Sequence, residues 1–216
     1  MENKELVQTY IERIENALKC VDDRVTKLVK TQFDIQGMSS YKTRIFLNEL
    51  VKQDTKYLEI GNWYGSTFIS ALYANEYISA VAMDNFSEFG SSTDELLKNI
   101  KESSIHNYEF YDIDCFNISE ELKKSESMSN INLYFYDGAH DAESQKKALT
   151  YYNENLSDVY ILIVDDWNYG PAREGTLAGF REVKHRIHKY WELPARFNGD
   201  IEQWWNGLYV AVCEKQ

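Results

Sequence analysis

Two short apolar runs, each closed by acid, constrain this chain more than any other feature. Ile131-Asn132-Leu133-Tyr134-Phe135-Tyr136 leads into Asp137, and Val159-Tyr160-Ile161-Leu162-Ile163-Val164 leads into Asp165-Asp166. Runs of this length, bounded by polar segments and rich in β-branched and aromatic residues, read as strands covered on both faces, as in a parallel sheet. In an open parallel sheet, ligands bind beyond the carboxyl ends of the strands. Acids gathered at that rim repel one another unless positive charge lies between them. A hard divalent cation with oxygen ligands is the simplest candidate. Capping or plain solvation would account for Asp165-Asp166 alone, but not for Asp137 closing a second strand.

The remainder alternates. Strands are predicted over 56–60, 78–83, 108–111, 131–136 and 159–164, with helices over 41–51, 66–75, 93–102, 120–124, 143–155 and 175–189 between and after them. The tail, 191–197 and 208–213, reads as two closing strands with Asn206-Gly207 in the turn. Ser39 or Ser40 is available to cap the helix at 41. Leu6, Tyr10, Ile14, Leu18, Val21, Val25 and Leu28 recur at helical spacing, so the first ~30 residues are expected to form an amphipathic helix. That helix either packs on the domain or serves as a homodimer arm. Strand-helix alternation with a final strand pair is a doubly wound α/β pattern. Residues 1–50 are expected to form a helical cap belonging to the same domain, and 51–216 its main body.

A balance of 23 basic against 35 acidic residues gives a net charge of −12. Such a field repels phosphate backbones and anionic bilayers, so neither nucleic acid nor membrane is an expected partner. Cys20, Cys115 and Cys213 are odd in number and far apart, which suggests no disulfide framework and suits a reducing compartment. With no signal-like or membrane-spanning apolar segment, a cytoplasmic location is expected.

After the first strand comes Glu59-Ile60-Gly61-Asn62-Trp63-Tyr64-Gly65-Ser66-Thr67. Gly61 permits a sharp turn and Gly65 a close backbone approach. The dinucleotide fingerprint would need glycine where Trp63 and Ser66 stand, and no Gly-Lys-Ser/Thr phosphate loop is present. The next strand ends in Asp84-Asn85, about 20 residues on, where an acid accepts from ribose hydroxyls or is a solvated loop aspartate. Asp114 could accept from an adenine amino group with Phe116 flanking the ring, although an aromatic after a strand is commonly core.

Taken together, these residues resemble class I S-adenosylmethionine-dependent methyltransferases, most closely the small metal-dependent O-methyltransferases of the macrocin and catechol types. Glu59, Gly61, Asn62, Gly65, Ser66 and Thr67 match their first motif. Asp84-Asn85 matches the ribose segment and Asp114-Cys115-Phe116 the adenine segment. Asp137-Gly138-Ala139-His140 and Val164-Asp165-Asp166-Trp167 match the paired metal motifs. The resemblance implies a seven-stranded, mostly parallel sheet with the last strand antiparallel and helices on both faces. It also implies a magnesium-type ion on Asp137, Asp165 and Asp166, and Met38 over the cofactor's methionine end. Ala139 and His140 depart from the patterns of these enzymes.

The chemistry expected is methyl transfer to a small hydroxylated acceptor, a sugar or natural product, with the metal lowering the acceptor's pKa. His140, or Asp141 in its place, would take the proton. Trp167, Tyr169 and Arg173 stand where an acceptor pocket would open. A scaffold that has lost turnover and a metal-dependent hydroxylase-like relative are the alternatives, since chemistry does not follow from fold.

Overall fold

The computed structural model describes residues 2–90 and 92–216, with the side chain of Glu2 also left aside. Seven strands form one sheet: β1 (Lys56–Ile60), β2 (Ser79–Asp84), β3 (Tyr108–Asp112), β4 (Ile131–Tyr136), β5 (Leu156–Val164), β6 (Arg186–Leu193) and β7 (Leu208–Glu214). Their order is β3-β2-β1-β4-β5-β7-β6. Strands β1 to β5 are parallel to one another. β7 runs antiparallel to both β5 and β6 and lies between them, so the antiparallel strand is interior and β6 is the edge.

Eight helices accompany the strands among the described residues: α1 (Glu2–Asp23), α2 (Lys30–Phe33), α3 (Tyr41–Leu50), α4 (Ser66–Leu72), α5 (Thr93–Glu102), α6 (Glu120–Lys123), α7 (Ala142–Tyr152) and α8 (Gly170–Val183). Alternation along the central strands divides the core into two layers. Tyr57, Leu133, Phe135, Ile161 and Ile163 face α1, α3, α4 and α5. Leu58, Tyr134, Tyr136, Leu162 and Val164 face α7 and α8. These strands are apolar throughout because both faces are covered.

α1 stops at Asp23, short of the expected 30 residues, and Arg24 follows with a φ of 54°. Its buried stripe of Val7, Tyr10, Ile14, Ala17 and Val21 packs into the sheet-facing core. Each large member contributes about 1.5–3 kcal/mol by burial. That stripe packs within the chain, as the first of the two expectations for this helix has it. Ser40 caps α3, its hydroxyl accepting from Thr43 N at 3.2 Å.

The helix predicted over 175–189 is displaced. Pro171 lies in the first turn of α8, which begins at Gly170, and Lys184 ends it with a left-handed φ of 58°. Ile187 continued the apolar spacing across this break by coincidence. The alternating segment from Arg186 pairs with β7 instead, so His188 lies on a strand and His185 in the preceding turn, neither on a helix face. The predicted strand at 191–197 accordingly becomes Arg186–Leu193. No helix among the described residues is long and apolar enough to cross a membrane.

Candidate active site at the carboxyl rim of the sheet

Register aligns the strand ends. Met83 pairs with Ile60, Ile60 with Tyr136, and Tyr136 with Val164. Pairing runs one residue further, where Gly61 N donates to Met83 O at 2.9 Å, Asp137 N to Ile60 O at 2.9 Å and Asp165 N to Tyr136 O at 3.1 Å. Every acid singled out after a strand therefore emerges at one rim.

On the β1 side the Gly61–Gly65 loop is drawn tight. Gly61 has a φ of +85°, and a Cβ there would lie 1.9 Å from the carbonyl oxygen of Asp137. Only glycine fits, both by conformation and by space. Asp84 closes this loop: Oδ2 accepts from Asn62 N and Trp63 N, each at 2.7 Å, and Oδ1 from Phe86 N at 2.7 Å. Glu59 is fully buried and accepts from Thr67 Oγ1 at 2.6 Å, Asn62 Nδ2 at 3.0 Å and the Tyr57 hydroxyl. Burial nevertheless pushes its pKa up to about 7, with its three donors opposing the rise. Two buried polar atoms of the loop, Asn62 Oδ1 and Trp63 Nε1, have no protein partner. Such orphaned groups, beside a backbone that approaches closely, fit a polar ligand seated on the loop.

The β4 side is different. Asp137 and Asp165 are in side-chain contact, and both are held well above the usual carboxylate range, first by burial and then by neighbouring acids, Asp166 prominent among them. Asp166 has a left-handed φ of 56°, which turns it away from the alternation of β5. Its Oδ2 lies 2.5 Å from His140 Nε2 without the alignment of a hydrogen bond, and its Oδ1 accepts from Asn206 Nδ2 at 2.5 Å. Contact with Asp166 raises the His140 pKa, against the opposing effect of burial. One atom each from Asp137, His140 and Asp166 lies within 4.8 Å of the others. A donor set of carboxylates and an imidazole in this space fits a divalent cation. Asp165, in contact with Asp137, is not part of that trio, a difference from the predicted set of three acids.

Other expected residues are scattered. Asp141 caps α7, its Oδ1 accepting from Glu143 N and Ser144 N at 3.0 Å each. These bonds lower its pKa and commit it to the helix rather than to proton transfer. Asp114 Oδ1 accepts from Phe116 N at 2.9 Å, and the Phe116 ring stacks on Tyr136 at 6.4 Å. Burial drives the Cys115 thiol up to about 12. Asn85 is exposed and accepts from Ser87 N at 3.2 Å. Met38 is exposed, next to Ser39, whose hydroxyl lies 3.2 Å from that of Ser66.

Trp167 is buried rather than open to an acceptor. It stacks on Tyr209 at 4.3 Å and donates to Glu192 Oε1 at 2.8 Å. Arg173 lies over the Trp167 ring and donates to that residue's carbonyl, whereas Tyr169 is half exposed. A groove of about 570 Å³ beside Trp167, Leu177, Tyr190 and Tyr209 excludes the rim acids. Trp204 is core, edge-on to Phe46 at 5.8 Å. Asn206 was missed by sequence reading, because nothing in the 194–207 segment tells where its loop folds.

No family model matches the chain, and no curated protein matches it. Solved structures do. An O-methyltransferase from Bacillus cereus in complex with S-adenosylhomocysteine superimposes with a TM-score of 0.54 at 12% identity, covering 94% of this chain and 91% of that one. An rRNA methylase from Streptococcus thermophilus gives 0.53 at 11%, covering 80% and 93%. A Streptococcus pneumoniae protein provisionally named a tRNA (m1A22) methyltransferase, bound to S-adenosylmethionine, gives 0.56 at 12%, covering 82% and 73%.

The fold is that of S-adenosylmethionine-dependent methyltransferases. At such identities the likeness carries the methyltransferase fold and nothing finer. It also overturns the exclusion of nucleic acid. Chains of this fold are named as rRNA and tRNA methylases, so a net charge of −12 is no ground for ruling RNA out: a local surface, not the sum of charges, meets a partner.

Proposed function

We propose that the chain is an S-adenosylmethionine-dependent O-methyltransferase that uses a divalent cation and acts on a small hydroxylated acceptor. The observation that supports this reading is the meeting of acids from β4 and β5 directly beside the Gly61 loop. Donor-poor carboxylates next to a polar-ligand cleft are costly unless the site is used.

Asp137 and Asp166, whose ligand atoms converge, would hold a magnesium-type ion, with Asp165 in contact with Asp137 behind them in the ligand order and Asn206 orienting Asp166. The ion, when bound, supplies Lewis acidity that lowers the acceptor hydroxyl's pKa. His140 takes the acceptor's proton. With Asp166 engaged elsewhere, the imidazole loses the partner that favours its charged form and can act as a base. When bound, S-adenosylmethionine would supply the methyl group, its carbon–sulfur bond breaking as the acceptor oxygen bonds to carbon, with the bonding pair left on sulfur. The Gly61–Gly65 loop, tied in place by Asp84, would seat the cofactor and orient it towards the acceptor, and orientation of this kind is worth ~7–11 kcal/mol in favourable cases.

Thermal melting with S-adenosylmethionine, with and without magnesium, tests the reading. Each ligand at about 100 times its dissociation constant adds ~2.7 kcal/mol, or roughly 5–10 °C. No shift with either ligand overturns it. A second reading, methylation of RNA, is favoured by the fold's rRNA and tRNA representatives. Labelled methyl transfer to small hydroxylated compounds and to total RNA, side by side, separates the two. His140→Ala is expected to keep magnesium-induced stabilisation while slowing transfer about 10²–10⁴-fold; loss of the stabilisation would make His140 a ligand instead.

A further inference from the structure

The two edge strands of the sheet differ in how they are protected against pairing. β3 is five residues long and carries Glu109 and Asp112, both exposed, with no base. A copy of β3 laid against it would bring acid to acid, and short, charged strands are a usual way of blunting an edge. β6 spans eight residues and mixes Arg186, His188 and Lys189 with Glu192. Among the described residues no backbone hydrogen bond leaves its outer side. A bulge disturbs only its first residues: from Lys189 to Leu193 it pairs with Val212 to Leu208 in unbroken register.

A stack of rings crosses the last strands and ends at this edge. Arg173 lies over Trp167 at 6.0 Å, Trp167 stacks on Tyr209 at 4.3 Å, and Tyr209 on Tyr190 at 5.8 Å. The inner end is capped by a cation, whereas Tyr190 at the outer end is 59% exposed. The sequence of β6 decides what can meet it. A two-fold axis that joins two copies into one sheet keeps equal faces together, so it passes beside a residue and not between two. An axis at Lys189 sets two ammonium groups opposite each other, and one at Glu192 two carboxylates. An axis at Trp191 puts Glu192 against Tyr190 of the copy. Only at Tyr190 do ring and ring meet, with Glu192 level with His188 of the copy and Lys189 with its Trp191. The last pairing is one that Lys189 already makes within its own strand, 5.1 Å above Trp191.

We propose that the chain pairs with a second copy of itself through β6, antiparallel about a two-fold axis at Tyr190, so that two seven-stranded sheets become one. The ring stack then runs unbroken through both Tyr190 side chains, from one Trp167 to the other. Cross-strand aromatic and opposite-charge pairs are the stabilising units of such a joint, and the open backbone groups of the edge find partners.

The test is sedimentation of the full chain across the micromolar range, joined to site-specific cross-linking. Wild type is expected at twice the 25.3 kDa of one chain. Tyr190→Glu sets two carboxylates on the axis and should raise the dissociation constant of the dimer on the order of 100-fold. Tyr190→Cys should form an intermolecular disulfide under mild oxidation, because residues facing each other across an antiparallel pair lie ~4.5–5.5 Å apart at Cα, within disulfide reach. Glu192→Cys, opposed by His188 and not by itself, should link no more than the parent chain does. A monomer at every concentration overturns the proposal and leaves Tyr190 to another occupant. A dimer indifferent to Tyr190→Glu, or equal cross-linking at 190 and 192, overturns it as well. Should Tyr190→Glu fail to fold, the contrast between the two cysteine variants decides.

Discussion

Asp84 closes β2 and Asp137 closes β4, one strand to either side of β1, yet their surroundings are opposite. Asp84 receives three backbone N–H groups, and Glu59 beneath it receives three side-chain donors. Asp137 meets Asp165 instead, with Asp166 close by. Donors convert an acid into a structural tie for a loop, as on the β1–β2 side. Acid beside acid leaves charge that the protein itself does not offset. The same residue type at the same rim thus serves architecture on one side and, on the function proposed above, ligand capture on the other.

The contrast is most sharply broken at Asp137. Asp137→Ala is expected to abolish magnesium-induced stabilisation and to slow methyl transfer on the order of 10³-fold, the scale of a lost Lewis acid. Its melting temperature without metal should rise or hold, since repulsion is relieved. A variant that still responds to magnesium would make the two sides equivalent.

Next comes the joint between them. Gly61→Ala meets both a positive φ and the Asp137 carbonyl, so a loss of ~2–5 kcal/mol is expected in denaturant melts. Gly199→Ala, at φ +79° with nothing within 4 Å, carries only the conformational cost of ~1–2 kcal/mol. Comparable losses for the two would deny the close approach that joins loop and acid rim.

The pH dependence follows from the raised acids. Glu59, Asp137 and Asp165 bind protons more tightly folded than unfolded, so they contribute stability at low pH that is lost as pH rises through their folded pKa values. For Glu59 the window runs from the ordinary carboxylate range to about 7, worth up to ~3 kcal/mol. Metal-free protein should therefore be less stable at pH 8 than at pH 5. Glu59→Gln should flatten the β1-side share, and magnesium the β4-side share. A metal-free profile that rises across this range would contradict both shifts.

The smallest effect is expected at Asn206→Ala, which removes the donor to Asp166 Oδ1. Magnesium affinity should fall about tenfold, as for an outer partner of a metal ligand. Affinity for S-adenosylhomocysteine should not change in the same titrations.

What sequence could reveal tracks how local the cause is. The strands ending at Ile60, Tyr136 and Val164 were legible because apolar runs bounded by polar segments have one economical reading. Glycine at 61 and the acids after β4 and β5 were legible for the same reason. The α8–β6 boundary was not, because Ile187 extends the helical spacing of Leu177, Phe180 and Val183 across the turn at Lys184. Asp141 looked catalytic from its place after His140, but capping geometry decides its use. Asn206 depends on long-range packing: its donor meets Asp166 only once folding has brought the two segments together, and it carries no local signature.

Strand β7, set between β5 and β6, has a consequence for assembly. While the chain is being made, β1 to β5 can pair in succession, but β6 has no neighbour until Leu208–Glu214 has been added. The Asn206 that steadies Asp166 arrives with that same stretch. The acid side of the rim is thereby completed with the last strand to join the sheet, so a partly synthesised chain would bring the Gly61 loop and Asp84 together before Asp166 gains its amide partner.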